Sequence, residues 1–130
     1  MEPQRHAWLA YVPWDLVTFQ NAALCQQKGA LHKPTSDGHA ATKALWESRH
    51  HLPMTLFEVV DLCRRCHRMA PFCFYNGNTF AAIARLLISN MKLPSARAAA
   101  IRSLAGHIVA GVATDEEVNA FRAFSDSHTA

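Results

Sequence analysis

The stretch that decides the fold runs from residue 55 to residue 88 and has the sequence TLFEVVDLCRRCHRMAPFCFYNGNTFAAIARLLI. It begins with a capping box, in which the Thr55 hydroxyl accepts a hydrogen bond from one free backbone N–H and Glu58 accepts one from another. The apolar spacing after this box predicts a largely buried helix from about Leu56 to Met69. That helix cannot continue past Pro71, because proline has no backbone N–H.

The second half of this stretch predicts a partner helix from about Thr79 to Met91, nearly all of it apolar, with Asn78 or Thr79 as its cap. The residues between the two helices, 72–78, should form a tight loop. Two apolar helices joined by a short loop predict a central antiparallel hairpin with the remaining helices packed around it. Four of its side chains should be buried in particular: Val59, Cys63, Ile83 and Leu87.

Signals for further helices lie on both sides of this hairpin. Pro13 suits a first helical turn, and Gly29 suits the end of that helix. Its apolar face should consist of Leu16, Phe19, Ala23 and Leu24. Other helices should occupy about residues 39–50, a segment starting at Ser95, and a last segment opened by a capping box at residues 114–117. No stretch alternates apolar and polar residues for long enough to form a sheet, so we predict an all-α helical bundle of at least five helices, forming one domain over residues 1–130.

Composition narrows the class of protein further. The chain has 130 residues, of which 50% are hydrophobic and 18% charged, which is the balance of a globular domain. No apolar run is long enough for a membrane span, and the first residues lack the apolar core of a signal peptide, so we expect a cytoplasmic location. The densest basic cluster, Arg64, Arg65 and Arg68, fits a solvated helix face better than a specific nucleic-acid site.

The cysteines allow several interpretations. Cys63 and Cys66 are followed directly by His67, a spacing that c-type haem attachment also uses, although that chemistry occurs on exported proteins. Zinc could bind Cys63, Cys66 and Cys73 with a histidine, and a redox thiol pair is a further alternative. Because the pair falls in the middle of an apolar helix, we favour buried structural cysteines and predict no metal site.

A different chemistry is suggested by the segment from Asn76 to Thr79. A glycine-containing turn that leads directly into a helix directs several free N–H groups at one point, where the helix dipole also favours an anion. The segment therefore predicts that the backbone of Gly77, Asn78 and Thr79 could bind a phosphate group. Many helices begin with such residues as an ordinary cap, so the segment alone does not establish a site.

The same loop carries a resemblance to a known family. Residues 72–80 are similar to the loop His-x-Phe-x-Asp/Glu-Gly/Ala-Asn-Lys/Gly-Arg of the Doc (death-on-curing) branch of the Fic family, with matches at Phe74, Gly77 and Asn78 and with Asn76 at the acidic position. Residues 56–59, 35–38 and 110–116 also resemble Doc segments. This resemblance implies a helical core, ATP and magnesium as cofactors, a translation factor as target, and a small antitoxin as partner.

The resemblance also shows what this chain lacks. Phe72 stands where the family has its general-base histidine, and Thr79 and Phe80 replace its phosphate-binding Lys or Gly and Arg. Asn76 would be a poor magnesium ligand, because a neutral amide lacks the charge that this cation prefers. The resemblance thus implies a catalytically impaired, Doc-like toxin-family protein that acts by binding. Restoring His, Asp, Lys and Arg at positions 72, 76, 79 and 80 should return activity if the scaffold is Doc-like.

Two other hypotheses remain open at this stage. His67 lies one turn before the loop and could serve as a substitute base, which would make the chain an active transferase with a rearranged site. The chain could instead be a small helical metal or scaffold protein built on Cys63 and Cys66. Labelled ATP distinguishes the first hypothesis from a protein that only binds, and a zinc measurement tests the second.

Overall fold

The structure, a computed structural model, describes residues 4–127 and consists of helices joined by short connections. The six helices in this range are α1 (Trp14–Lys28), α2 (His39–Arg49), α3 (Leu56–Met69), α4 (Asn76–Ser89), α5 (Ser95–Ala110) and α6 (Asp115–Ser127). The described residues contain no strand, only two isolated bridges, and none of these helices is long and apolar enough to cross a membrane. The predicted all-α class is therefore confirmed.

Helices α3, α4 and α5 pack against one another and form the centre of the bundle. Helix α1 covers α4, α2 packs on α1 and α3, and α6 packs on α3 and α5. The predicted hairpin of α3 and α4 is present, and the predicted burial of Val59, Cys63, Ile83 and Leu87 is confirmed. However, α5 is as central to the bundle as these two helices, because it packs against both α3 and α4.

Both predicted capping boxes are formed. At the start of α3 the Thr55 hydroxyl accepts from the Glu58 amide at 3.1 Å, and the Glu58 carboxylate accepts from the Thr55 amide at 2.8 Å. The second of these hydrogen bonds is the main reason why the pKa of Glu58 is lowered. Thr114 and Glu117 repeat the arrangement before α6. Each box satisfies backbone N–H groups that a helix start otherwise leaves without a partner.

Two details of the predicted helices are wrong. Helix α4 begins at Asn76, not at Thr79, and ends at Ser89. The reason is that Tyr75 adopts a left-handed conformation with φ of 61° and ends the loop there, so residues 76–78 form the first helical turn. The apolar face predicted for α1 is also wrong, because Leu16 and Phe19 are 38% and 68% exposed. The face that packs inward contains Trp14, Val17, Asn21 and Cys25.

An aromatic cluster in the core joins α1, α2, the loop and α4. The Phe72 ring stacks on Trp14 with centroids 5.9 Å apart and planes 11° from parallel. Trp46 lies between Trp14 and Phe80, and its indole N–H donates to the Val12 carbonyl at 2.9 Å. Such rings bury large apolar areas and gain further from their edge and offset contacts, so the cluster fixes where the loop lies.

This cluster leads to a stability prediction that compares two phenylalanines of one loop. Phe72 is 1% exposed and Phe74 is 48% exposed. Phe72→Ala should lower the free energy of unfolding by about 3–5 kcal/mol, because it leaves a cavity against Trp14. The control, Phe74→Ala, should cost less than about 1 kcal/mol. Urea unfolding measures both values, and equal losses would contradict the inward packing of Phe72.

Candidate site at the start of helix α4

A cavity with a volume of about 690 Å³ lies where the end of α3 and the start of α4 meet α5. Volumes of this size are typical of small-molecule sites. Its wall contains both polar and apolar residues and is formed by Leu24, His67, Ala70, Tyr75, Asn76, Gly77, Asn78, Ala81, Ala82, Arg85, Gly106 and Ala110. No Asp or Glu is among these residues, so the wall carries no carboxylate charge.

The first turn of α4 lines this cavity, and no side chain caps it. Tyr75 provides no side-chain hydrogen bond to the helix, and the amides of Asn76, Gly77 and Asn78 have no hydrogen-bond acceptor within residues 4–127. Three N–H groups therefore point out of the helix start, where the helix dipole places partial positive charge. The sequence-based prediction placed Gly77 and Asn78 at such a position, and the structure places both there.

Thr79, the third predicted phosphate ligand, lies elsewhere. Its amide donates to the Tyr75 carbonyl at 2.9 Å, as an ordinary helical N–H does. Its side chain is fully buried, where the hydroxyl donates to the same carbonyl and accepts from the side-chain amide of Asn21 at 3.0 Å. The prediction for Thr79 is therefore wrong, because α4 starts three residues earlier than expected, and Asn76 supplies the third free amide.

The side chain of Asn76 has a structural role. The Phe72 amide donates to Asn76 Oδ1 at 2.9 Å, and Asn76 Nδ2 donates to the Phe72 carbonyl at 2.7 Å. Both ends of the side-chain amide thus hydrogen-bond to the Phe72 backbone, while the main-chain N–H of Asn76 has no acceptor within residues 4–127. With no carboxylate in the cavity wall, these residues do not fit a magnesium ion.

Phe72 and Phe80, which stand where the resembled family has its histidine and arginine, do not line the cavity. Phe72 and Phe80 are 1% and 0% exposed and belong to the aromatic cluster around Trp14 and Trp46. A histidine or arginine at these positions would lie in the core rather than beside a ligand. Positions 72, 79 and 80 are all buried, which does not favour the expectation that restoring the family residues at 72, 76, 79 and 80 returns activity; that expectation stays a prediction.

His67 is the titratable group that reaches the cavity from α3. Its Nδ1 lies 2.8 Å from the Val109 carbonyl oxygen, which can only accept, so Nδ1 carries a proton. In the neutral ring this leaves Nε2 with a free lone pair. The Nε2–Cε1 edge faces Gly77, where an added Cβ would come within 3.1 Å of both atoms. A glycine at the second position of α4 thus lets an imidazole nitrogen lie against the uncapped helix start.

Arg85 lines the cavity although no sequence motif indicated it as a site residue. It interrupts the apolar sequence of α4 and its side chain lines the cavity without an ion-pair partner in the part of the chain that the structure describes. It crosses α5 at Gly106, where an added Cβ would lie 2.5 Å from the guanidinium. A charge within an otherwise apolar helix was visible in the sequence, but its neighbour Gly106 was not.

Cys63 and Cys66 lie away from this cavity, in the core. Both are buried, and burial raises the pKa of each thiol, to about 12 for Cys66. Cys25 is buried as well, and burial also raises its pKa, whereas Cys73 is exposed. Within residues 4–127 no three or more His, Cys, Asp or Glu side chains come together as metal ligands would. The structure thus places Cys73 apart from the pair that a zinc site would need.

Comparisons of the chain with protein-family models, with curated proteins and with solved structures found no match.

Burial predicts which thiols react. A pKa near 12 for Cys66 leaves only about one thiolate in ten thousand at pH 8, and thiolate is the reactive form. In the folded protein iodoacetamide should therefore modify Cys73 and spare Cys25, Cys63 and Cys66, all of which should react in denaturant. Peptide mass spectrometry measures the four sites. Rapid labelling of Cys66 in the folded state would contradict its burial.

The same burial predicts that the cysteines do not hold zinc. Protein purified without added metal should contain zinc far below stoichiometric amounts, and Cys63→Ser should lower the free energy of unfolding by about 1–3 kcal/mol through burial of a hydroxyl. Elemental analysis and urea unfolding provide the two measurements. Stoichiometric zinc that survives dialysis and disappears in Cys63→Ser would establish the metal hypothesis instead.

Proposed function

We propose that the cavity at the start of α4 binds a phosphate-bearing ligand of nucleotide type, and that the protein acts by binding. The observation that carries this proposal is the uncapped helix start, which presents the amides of Asn76, Gly77 and Asn78 to a cavity that also holds the Arg85 guanidinium. Amides at a helix start and arginine are both favourable partners of phosphate. The absence of a carboxylate from the wall removes the group that would repel it.

A Doc-like, catalytically impaired relative of the phosphoryl and nucleotidyl transferases fits this proposal. The supporting observations are the all-α hairpin of α3 and α4 and the matches at Phe74, Gly77 and Asn78. Since Phe72 and Phe80 lie in the core, neither the general base nor the arginine of the family loop has an equivalent at its own position. We extend the proposal to a cytoplasmic protein of a toxin–antitoxin type system with a small antitoxin-like partner.

A second candidate function is phosphoryl or nucleotidyl transfer with His67 as the base. It is favoured by one observation, the hydrogen bond from Nδ1 to the Val109 carbonyl, which leaves Nε2 free as a proton acceptor beside Gly77. General-base catalysis typically contributes about 10²–10⁴ in rate. The Mg²⁺ ion that ATP chemistry ordinarily uses has no carboxylate here, so binding without transfer from ATP is the better supported of the two.

Binding of phosphate can be tested with one charge-neutralising substitution. Titrating the protein with inorganic phosphate or ATP should shift the NMR signals of the Gly77 and Asn78 amides. Arg85→Gln should weaken binding about 10–100-fold, because a charge-assisted hydrogen bond contributes roughly 1.5–3 kcal/mol. Arg65→Gln, an exposed change on α3 outside this cavity, is the control and should bind as the unaltered protein does. If neither ligand moves these signals, the cavity is not a phosphate site.

A separate prediction is that the protein does not transfer a phosphoryl or nucleotidyl group from ATP. Expression of the chain without any partner should not arrest growth, and incubation with labelled ATP and cell extract should yield no labelled protein. The physical reason is that the wall of the cavity has no magnesium ligand and that the loop position of the family base is buried. Clear transfer by the unaltered protein that is abolished in His67→Gln would favour the second candidate function.

A further inference from the structure

We propose that His67 is a phosphoryl acceptor, and that its Nε2 becomes covalently phosphorylated by a small acyl phosphate bound in this cavity. The proposal rests on the proposed phosphate site and adds a covalent step to it. It is carried by a juxtaposition that involves three helices: the His67 imidazole from α3, the amides of Asn76, Gly77 and Asn78 at the start of α4, and Arg85 lying across Gly106 of α5.

The contact with the Val109 carbonyl fixes the tautomer of the His67 imidazole. Because the Val109 carbonyl holds the proton on Nδ1, the lone pair of the neutral ring is on Nε2, which belongs to the ring edge that faces Gly77. No hydrogen-bond partner of Nε2 occurs within residues 4–127. A neutral imidazole nitrogen held in one tautomer is a nucleophile that needs no further base. The backbone carbonyl also stabilises the positive ring that forms when Nε2 is substituted.

The free amides of residues 76–78 lie on the same side of the cavity as the His67 ring edge. A Cβ added at Gly77 would lie 3.1 Å from His67 Nε2, so a phosphoryl group on Nε2 would lie close to the uncapped turn of α4. There the N–H groups of residues 76–78 can donate to its oxygens as negative charge develops on them. The same donors that bind free phosphate would thus stabilise both the transfer and its product.

Arg85 identifies the class of donor. Side chains on a helix tilt toward its N-terminus, which directs Arg85 from two turns further along α4 back toward the first turn. An acyl phosphate has a carboxylate as its leaving group, and a guanidinium binds a carboxylate through paired hydrogen bonds. Such a donor carries less charge than a nucleoside triphosphate. It therefore suits a cavity that has amides and one arginine but no ligand for magnesium.

The step balances without any further reactant. The Nε2 lone pair forms a nitrogen–phosphorus bond while the bond from phosphorus to the carboxylate oxygen breaks, and the carboxylate leaves with that electron pair toward Arg85. No oxidation or reduction occurs. Nδ1 keeps its proton on the Val109 carbonyl, so the product is a phosphorylated imidazolium.

The test uses acetyl phosphate as the donor and the whole chain as the acceptor. Intact-mass spectrometry should show the addition of one phosphoryl group, labile in acid and stable in alkali, and peptide sequencing should place it on His67. His67→Gln should abolish the modification, whereas His51→Gln, a change at an exposed histidine, should retain it. Arg85→Gln should slow the reaction by about 10²–10³, the usual effect of removing an electrostatic donor.

The outcomes separate this inference from the proposed function. Shifts of the Gly77 and Asn78 signals with phosphate but no phosphoryl group on His67 would overturn the inference and leave the binding function intact. A phosphoryl group found on another residue of the unaltered protein would overturn it as well. Site mapping on the unaltered protein keeps the test decisive even if His67→Gln fails to fold. Loss of both binding and modification would remove both proposals.

Discussion

Two hydrogen bonds between the side-chain amide of Asn76 and the backbone of Phe72 are the contacts on which the rest of this structure depends. They close the connection between α3 and α4 and direct the Phe72 ring toward Trp14. The pair needs one donor and one acceptor on the same short side chain, which an amide has and a carboxylate lacks. Asn76 at the position where the resembled family has an acid is therefore explained by the local geometry. The same geometry removes it from metal binding.

A buried polar cluster holds α1 against this connection. Asn21 is fully buried; its Nδ2 donates to the Phe74 carbonyl and to the Thr79 hydroxyl, and its Oδ1 accepts from His32 and from the Cys25 thiol. Such a side chain is stable in a core only when its donors and acceptors are satisfied. Because its partners lie on both sides of Tyr75, the cluster fixes this left-handed residue, which directly precedes α4. The uncapped first turn follows from it.

Some of residues 72–79 belong to the core, and others belong to the wall of the cavity. Phe72 and Thr79 point inward and stabilise the bundle, while the amides of Gly77 and Asn78 remain at the cavity wall. Two glycines complete the wall, since Gly77 makes room for the imidazole of His67 and Gly106 makes room for the guanidinium of Arg85. The histidine of α3 and the arginine and free amides of α4 thus converge on one cavity, whose wall α5 completes. Their arrangement favours an anion, and it leaves one imidazole nitrogen available for chemistry.

The sequence by itself determined the elements of this protein. Capping residues at Thr55 and Thr114, glycines at helix ends and the apolar spacing of α3 and α4 act within one or two turns, so each helix could be predicted from its own residues. The burial of Cys63 and Cys66 followed in the same way from their position on an apolar helix. Gly77 and Asn78 could be recognised as residues of a helix start.

Only the tertiary structure decided where α4 begins, which face of α1 is buried and which side chains share the cavity. These depend on contacts between residues far apart in the chain, such as Asn21 with Phe74, His67 with Val109, and Arg85 with Gly106. The apolar spacing of α1 predicted that Leu16 and Phe19 are buried, and it gave no prediction for Asn21. The hydrogen-bond partners of Asn21 reverse this, because an amide whose hydrogen bonds are satisfied can replace an apolar side chain in the core.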